Sequence, residues 1–154
     1  MTTQSAEAPI TSGIVAGHDG SVLAGVAVQK AADLAGRLGV PLHVVRVWSL
    51  RTAPRPADAG PGYVPSNEEF EKAVIDELTA HVGLLTLPEG LEVVPHAVRG
   101  QSSEALIEAS VGAEMLVVGT RGSGGFKGLL LGSTADQVLR HARIPVLVIP
   151  NAAD

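Results

Sequence analysis

The sequence predicts an open, doubly wound α/β sheet of five parallel strands with helices on both faces. Two observations carry that reading. From residue 13 onward, short runs rich in Val and Ile alternate with segments whose apolar residues recur every three or four positions. The short runs are also apolar on both faces, as strands are when helices cover a parallel sheet from both sides.

Ile14–His18 is the first strand. Leu23, Val26, Ala27, Lys30, Ala31, Leu34 and Leu38 then recur at helical spacing, and Gly39-Val40-Pro41 ends that helix. Leu42–Trp48 follows as the second strand. Ser49 to Pro65 holds four prolines and three alanines without a period and reads as a surface loop. Phe70, Val74, Leu78, Val82 and Leu85 form the apolar stripe of a second helix, with Asn67 or Ser66 as its N-cap. Glu68, Glu69, Glu71, Asp76 and Glu77 lie on its solvated face. Leu91–Val98 is the third strand, about Ser103 to Val111 the third helix, and Met115–Gly119 the fourth strand. A last helix is expected from Ser133 to His141, where Ser133 and Asp136 have capping-box spacing, and Pro145 separates it from the strand Val146–Ile149. The domain therefore spans 13–150, after an extended or disordered segment 1–12 and before a tail 151–154.

Composition excludes several classes. The chain has 154 residues and is 45% hydrophobic, so a single core can form without staples. Its four aromatic residues are Trp48, Tyr63, Phe70 and Phe126, which leaves Ala, Val and Leu to fill that core. Eleven basic against 16 acidic residues give a net charge of -5, against a phosphate-gripping nucleic-acid binder. The absence of cysteine removes disulfides, thiolate metal sites and thiol catalysis. No apolar run is long enough for a membrane helix, and residues 1–13 lack the pattern of a signal peptide. The cytoplasm is the expected location.

Doubly wound sheets bind ligands at the carboxyl ends of their strands, where strand order reverses. Here that crevice lies between strands one and four. Strand one runs into Gly17-His18-Asp19-Gly20-Ser21, and strand four into a stretch with six glycines between Gly119 and Gly132. Glycine lets backbone N–H groups approach an anion, at positive φ where the turn requires it. The following helix adds N–H donors without helical partners and the positive end of its dipole. This composition alone is a weak signal, because glycine-rich stretches also serve plain turns. No Walker loop, G-x-G-x-x-G after strand one or G-x-S-x-G elbow is present. The partial matches to H-x-G-H, at His18, and to S-G-G, at Ser123, lack a second His or follow the wrong strand.

One spacing is specific. Gly119-x2-Gly122-x9-Gly132-Ser133 resembles, without a gap, the G-x2-G-x9-G-[ST] signature of the universal stress protein family. Ile14 to Ser21 and residues 132–149 agree with that family as well, so the resemblance covers nearly the whole domain. It implies strand order 3-2-1-4-5 in an adenine nucleotide alpha hydrolase-like fold, a homodimer, and ATP binding with phosphate-bound Mg2+. Carried over position by position, Asp19 resembles the acidic residue near the ribose and the phosphate-bound metal, and Gly17 precedes it where some ATP binders carry Pro. Val47 resembles the residue whose backbone pairs with adenine. Val118, Gly119 and Gly122 would line ribose and phosphates, with Arg121 where the family often has His or Arg. Gly132, Ser133 and Thr134 would hold the phosphate tail. The dimer would form through Val146, Leu147, Val148 and Ile149.

Each residue also has a plainer reading. Asp19 is turn chemistry in Asp-Gly-Ser, Ser133 caps a helix in either case, and Arg121 and Lys127 read equally as solvated loop charges. His18 falls on the strand face of Ile14 and Ala16 and is expected to be buried and hydrogen-bonded. His43, His81, His96 and His141 show no ligand spacing. No residue is placed as a catalytic group. The expected function is a nucleotide-responsive stress regulator. A slow ATPase or nucleotidyl-transfer enzyme, a module for cyclic AMP or AMP, and a ligand-free scaffold are the alternatives.

Overall fold

A computed structural model describes residues 9–120 and 131–150 of the chain. Residues 1–8 and 151–154, most of the expected N-terminal segment and the expected tail, lie outside the described residues, as do Arg121 and Gly122. The element order is β1 (Ile14–Gly17), α1 (Ala24–Leu38), β2 (Leu42–Trp48), α2 (Asn67–Gly83), β3 (Val93–Arg99), α3 (Ser102–Ala109), β4 (Met115–Gly119), α4 (Ser133–His141) and β5 (Val146–Ile149). All five strands are parallel, in the order β3-β2-β1-β4-β5.

Strand alternation sends the apolar residues to two cores. Ile14, Ala16, Leu42, Val44, Val93 and Val117 pack against Ala27, Val28, Ala31 and Ala35 of α1 and Leu78 and Val82 of α2. On the other face, Val15, Val45, Leu116 and Val118 pack against Leu106 of α3 and Ala135 and Val138 of α4. The small residues of α1 let that helix lie close over the centre of the sheet.

Some boundaries differ from expectation. β1 ends at Gly17, although the His18 N–H continues the ladder to the Val45 carbonyl at 2.9 Å. β3 starts at Val93, because Leu91 closes a turn onto the Pro88 carbonyl around Gly90 at φ +76°. Helix α3 starts at Ser102, where the Gln101 side chain caps the Glu104 N–H at 2.9 Å. Of the two candidates for α2, Ser66 is the N-cap, accepting from the Glu69 N–H at 3.2 Å. Helix α4 is capped by Gly132 without a side-chain bond, so Ser133 is its first helical residue and the expected Ser133–Asp136 capping box does not form. Asp136 pairs instead with Arg140, one turn further on, at 3.2 Å.

The entry to β1 is tightly fixed. Gly13 adopts φ +94°, its N–H donates to the Glu114 carboxylate, and a Cβ there would lie 2.3 Å from the Pro41 carbonyl oxygen. Gly13→Ala is therefore expected to cost roughly 3 kcal/mol, combining positive-φ strain with a backbone clash. Chemical denaturation reads it directly; a loss below about 1 kcal/mol would mean that the turn has relaxed.

Candidate functional site

Hydrogen-bond parity along the strands shows what faces the crevice. The Ile14 and His18 N–H groups bond the Pro41 and Val45 carbonyls, so the odd-numbered residues of β2 direct their main-chain groups toward β1. The last paired residue of β1 is Gly17, opposite Val45. Val47, two residues further, thus turns its main-chain groups toward β1 beyond that strand's paired end. Across the gap, Leu116 and Thr120 donate to the β5 partners Pro145 and Ile149, which leaves Gly119 facing β1.

Helix α4 is pinned to the same end of the sheet. The Gly132 N–H donates to the Thr120 carbonyl at 2.6 Å, which sets the first turn of α4 directly beside the end of β4. Ser133 is exposed and Thr134 half-buried at that turn. The leading N–H groups of α4 thus stand at the switch point, the placement that favours an anion. Gly132 has φ -70° and ψ 166°, which any residue adopts, so positive φ does not explain this glycine. It is buried.

Asp19 sits in the β1–α1 turn as an exposed residue. Its Oδ1 accepts from the Ser21 N–H at 2.9 Å and the Ser21 hydroxyl at 2.5 Å, so Asp19 builds the turn it stands in. Gly17 plays a packing role: a Cβ on it would meet Leu106 at 3.0 Å and Val118 at 3.7 Å. Val118 is itself buried in that core, at 4% exposure. Among the expected residues, Gly17, Asp19, Val47, Val118, Gly119, Gly132, Ser133 and Thr134 are described, and they stand at or just beyond the carboxyl ends of β1, β2 and β4 or at the start of α4. Arg121 and Gly122 lie outside the described residues.

Beneath the turn is a polar cluster on the α2 side of the sheet. His18 is buried, as expected; its Nδ1 accepts from the Gly20 N–H at 2.9 Å, and its ring lies 5.1 Å from that of His81. Burial, then the His81 charge, pushes the His18 pKa down to about 4. Arg46 is also buried; its Nη1 donates to Glu77 Oε1 at 2.8 Å and its Nη2 to the Thr52 carbonyl at 3.2 Å. Sequence reading missed Arg46, although a cation inside the otherwise apolar run Val44-Val45-Arg46-Val47 is a signal, since buried charges are paired.

The other face holds a histidine pair, His43 Nδ1 to His96 Nε2 at 2.9 Å. No group of three or more metal-ligating side chains occurs among the described residues. A cleft of about 570 Å³ between α3 and α4, lined by Gln101, Glu104, Ile107, Gln137, His141 and Arg143, includes none of the expected site residues. Its mixture of acids and bases selects no charge of ligand. No described helix is long and apolar enough to cross a membrane.

The model of the universal stress protein family matches residues 12–150. A universal stress protein of Mycolicibacterium smegmatis is 35% identical over 141 residues, which is 88% of this chain and 45% of the relative. The chain spans about half the length of the curated relatives it matches. Among solved structures, a universal stress protein in complex with cAMP superposes with TM-score 0.60 at 24% identity, covering 94% of this chain and 100% of that one. One from Archaeoglobus fulgidus in complex with dAMP gives TM-score 0.56 at 21% identity, covering 89% and 96%.

Proposed function

This chain belongs to the universal stress protein family, and from that membership we propose that it binds ATP with Mg2+ in the β1–β4 crevice and acts as a nucleotide-responsive stress regulator. The observation that carries the reading is the bond from Gly132 to Thr120, which presents the start of α4 at the switch point. The donor set fits a nucleotide. Helix N–H groups and the Ser133 hydroxyl suit phosphate oxygens, the Val47 main chain suits a base edge, and the Asp19 carboxylate suits ribose or phosphate-bound Mg2+. Bound Mg2+ would supply charge neutralisation between phosphate and Asp19. Arg121 and Gly122 belong to the proposed phosphate contacts by sequence. The proposal includes a homodimer through β5 and places the protein in the cytoplasm.

Thermal unfolding with nucleotide tests the binding. A ligand specific for the folded state adds RT ln(1 + [L]/Kd), about 2.7 kcal/mol at a hundredfold excess over Kd. Wild type is expected to gain stability from ATP with Mg2+, and Gly132→Val to lose most of the gain. Gly60→Val is the control, because a Cβ there meets nothing within 4 Å. Asp19→Asn keeps an acceptor for Ser21 while removing the charge, and should weaken ATP more with Mg2+ than with EDTA. No shift at millimolar ATP would return the chain to the scaffold reading. The cAMP and dAMP complexes of the structural relatives favour a second reading, a monophosphate site, and stronger stabilisation by AMP or cyclic AMP than by ATP would establish it. Phosphate release during the same incubation would point to the slow ATPase.

A further inference from the structure

The cluster under the Asp19 turn has no part in the nucleotide contacts above, yet it encloses that turn from below. Gly20 adopts φ +87°, and a Cβ on it would lie 2.8 Å from Arg46 Nη2 and 2.9 Å from its guanidinium carbon. The guanidinium therefore lies directly against the Gly20 backbone. On the same residue, the N–H is held by His18 Nδ1 at 2.9 Å. The remaining contacts of Arg46 lead elsewhere: to Glu77 in the middle of α2, and to the Thr52 carbonyl at the start of the proline-rich segment. One side chain thus joins three parts of the chain far apart in sequence. A buried guanidinium is expensive to desolvate, and an apolar residue of similar volume often serves a core as well or better. Its planar fork, with several donors in fixed geometry, is what a joint between segments needs.

We propose that Arg46 is a positioning residue that sets the shape of the Asp19–Gly20–Ser21 turn, so that this arm of the nucleotide site answers to helix α2 and to the segment around Thr52. The part concerning affinity rests on the nucleotide reading; the part concerning the turn does not. Movement of α2, or a partner seated on it, would reach the ligand through Glu77 and Arg46 without touching the crevice.

Glu77 gives a test from outside the turn, because it is one-third exposed and its hydrogen bond goes to Arg46. Amide resonances of Gly20 and Ser21 are compared in nucleotide-free wild type, Arg46→Lys, Glu77→Ala and Lys72→Ala. The last breaks only the exposed Lys72–Asp76 pair on the same helix. ATP dissociation constants are then measured on the same samples with Mg2+. Arg46→Lys and Glu77→Ala are expected to shift both amides and weaken ATP about three- to tenfold, while Lys72→Ala does neither. Unmoved amides in both variants overturn the proposal. So do moved amides with ATP affinity unchanged. If Arg46→Lys fails to fold, Glu77→Ala decides alone. If wild type does not bind ATP, the nucleotide reading falls, and the amide shifts still decide whether Arg46 sets the turn.

Discussion

Acidification from pH 6.5 to pH 4 is expected to remove on the order of 5 kcal/mol of folding stability, with two buried histidines as its main source. His18 and His96 are 5% and 4% exposed, and both have their pKa lowered from 6.5 to about 4, chiefly by burial and secondly by the neighbouring histidine. Geometry gives the same direction. The Gly20 N–H needs the lone pair of His18 Nδ1, so protonation there breaks a hydrogen bond. Two imidazoliums facing at 2.9 Å would both be donors, so the His43–His96 pair cannot hold its bond with both rings charged. The sign follows from linkage. Between about pH 6.5 and 4 the unfolded chain binds protons that the folded chain refuses, so stability rises with pH across that window. The full contribution is present above pH 6.5, falls as pH drops, and levels off below pH 4 once the folded protein has also taken up the protons. Each histidine accounts for about 3 kcal/mol at most, a large share of a typical stability of about 5–15 kcal/mol. Urea unfolding at half-unit pH intervals measures the slope. His96→Gln keeps a donor for His43 without the titration, and should flatten the dependence by about half. A wild type equally stable at pH 6.5 and pH 4.5 would show that these rings are hydrated.

Much of the fold can be read from period alone, and the exceptions have physical causes. β2 and α4 have the expected ends because Pro41 and Pro145 stand just before β2 and β5, and because Gly132 stops the loop before α4. The N-terminus of α4 shows the limit: Ser133 with Asp136 fits a capping box, but the bond from Gly132 to Thr120 fixes the chain one residue earlier, and tertiary geometry overrides the local pattern. Motif spacing singled out Gly119, Gly132 and Ser133, which the structure places at the end of β4 and the start of α4. It could not reveal that Gly17 is small for the sake of Leu106, which approaches from a helix ninety residues away. His43 and His96 show no spacing because their meeting depends on the β2–β3 register, which pairs Val45 with His96 and Val94 with His43. Arg46 was legible only as an anomaly; its partners come from α2 and from the segment after β2.

Val148→Pro is expected to convert a dimer into a folded monomer, because the two edges of this sheet are built differently. At the β3 edge, Leu42 donates to the Glu92 carbonyl, so even-numbered residues face β2 and Pro95 turns outward, where it offers no N–H to an incoming strand. The β5 edge has no such protection. Its four residues Val146, Leu147, Val148 and Ile149 are apolar and only partly buried. The carbonyls of Pro145 and Ile149 bond β4, so Val146 and Val148 direct their N–H and C=O groups away from the sheet. Among the described residues this apolar edge pairs with no further strand, so it invites a second copy, and a two-fold axis near Leu147 would set Val146 of one copy against Val148 of its partner. Proline at 148 removes one outward donor from each copy and leaves the β4 ladder whole, which separates this variant from a simple unfolding mutation. Leu147→Pro, whose N–H faces β4, should destabilise the monomer itself. Sedimentation velocity at tens of micromolar, with far-ultraviolet circular dichroism on the same samples, distinguishes the outcomes. A monomeric wild type removes β5 as an interface, and a Val148→Pro protein that stays dimeric moves the interface elsewhere on the molecule.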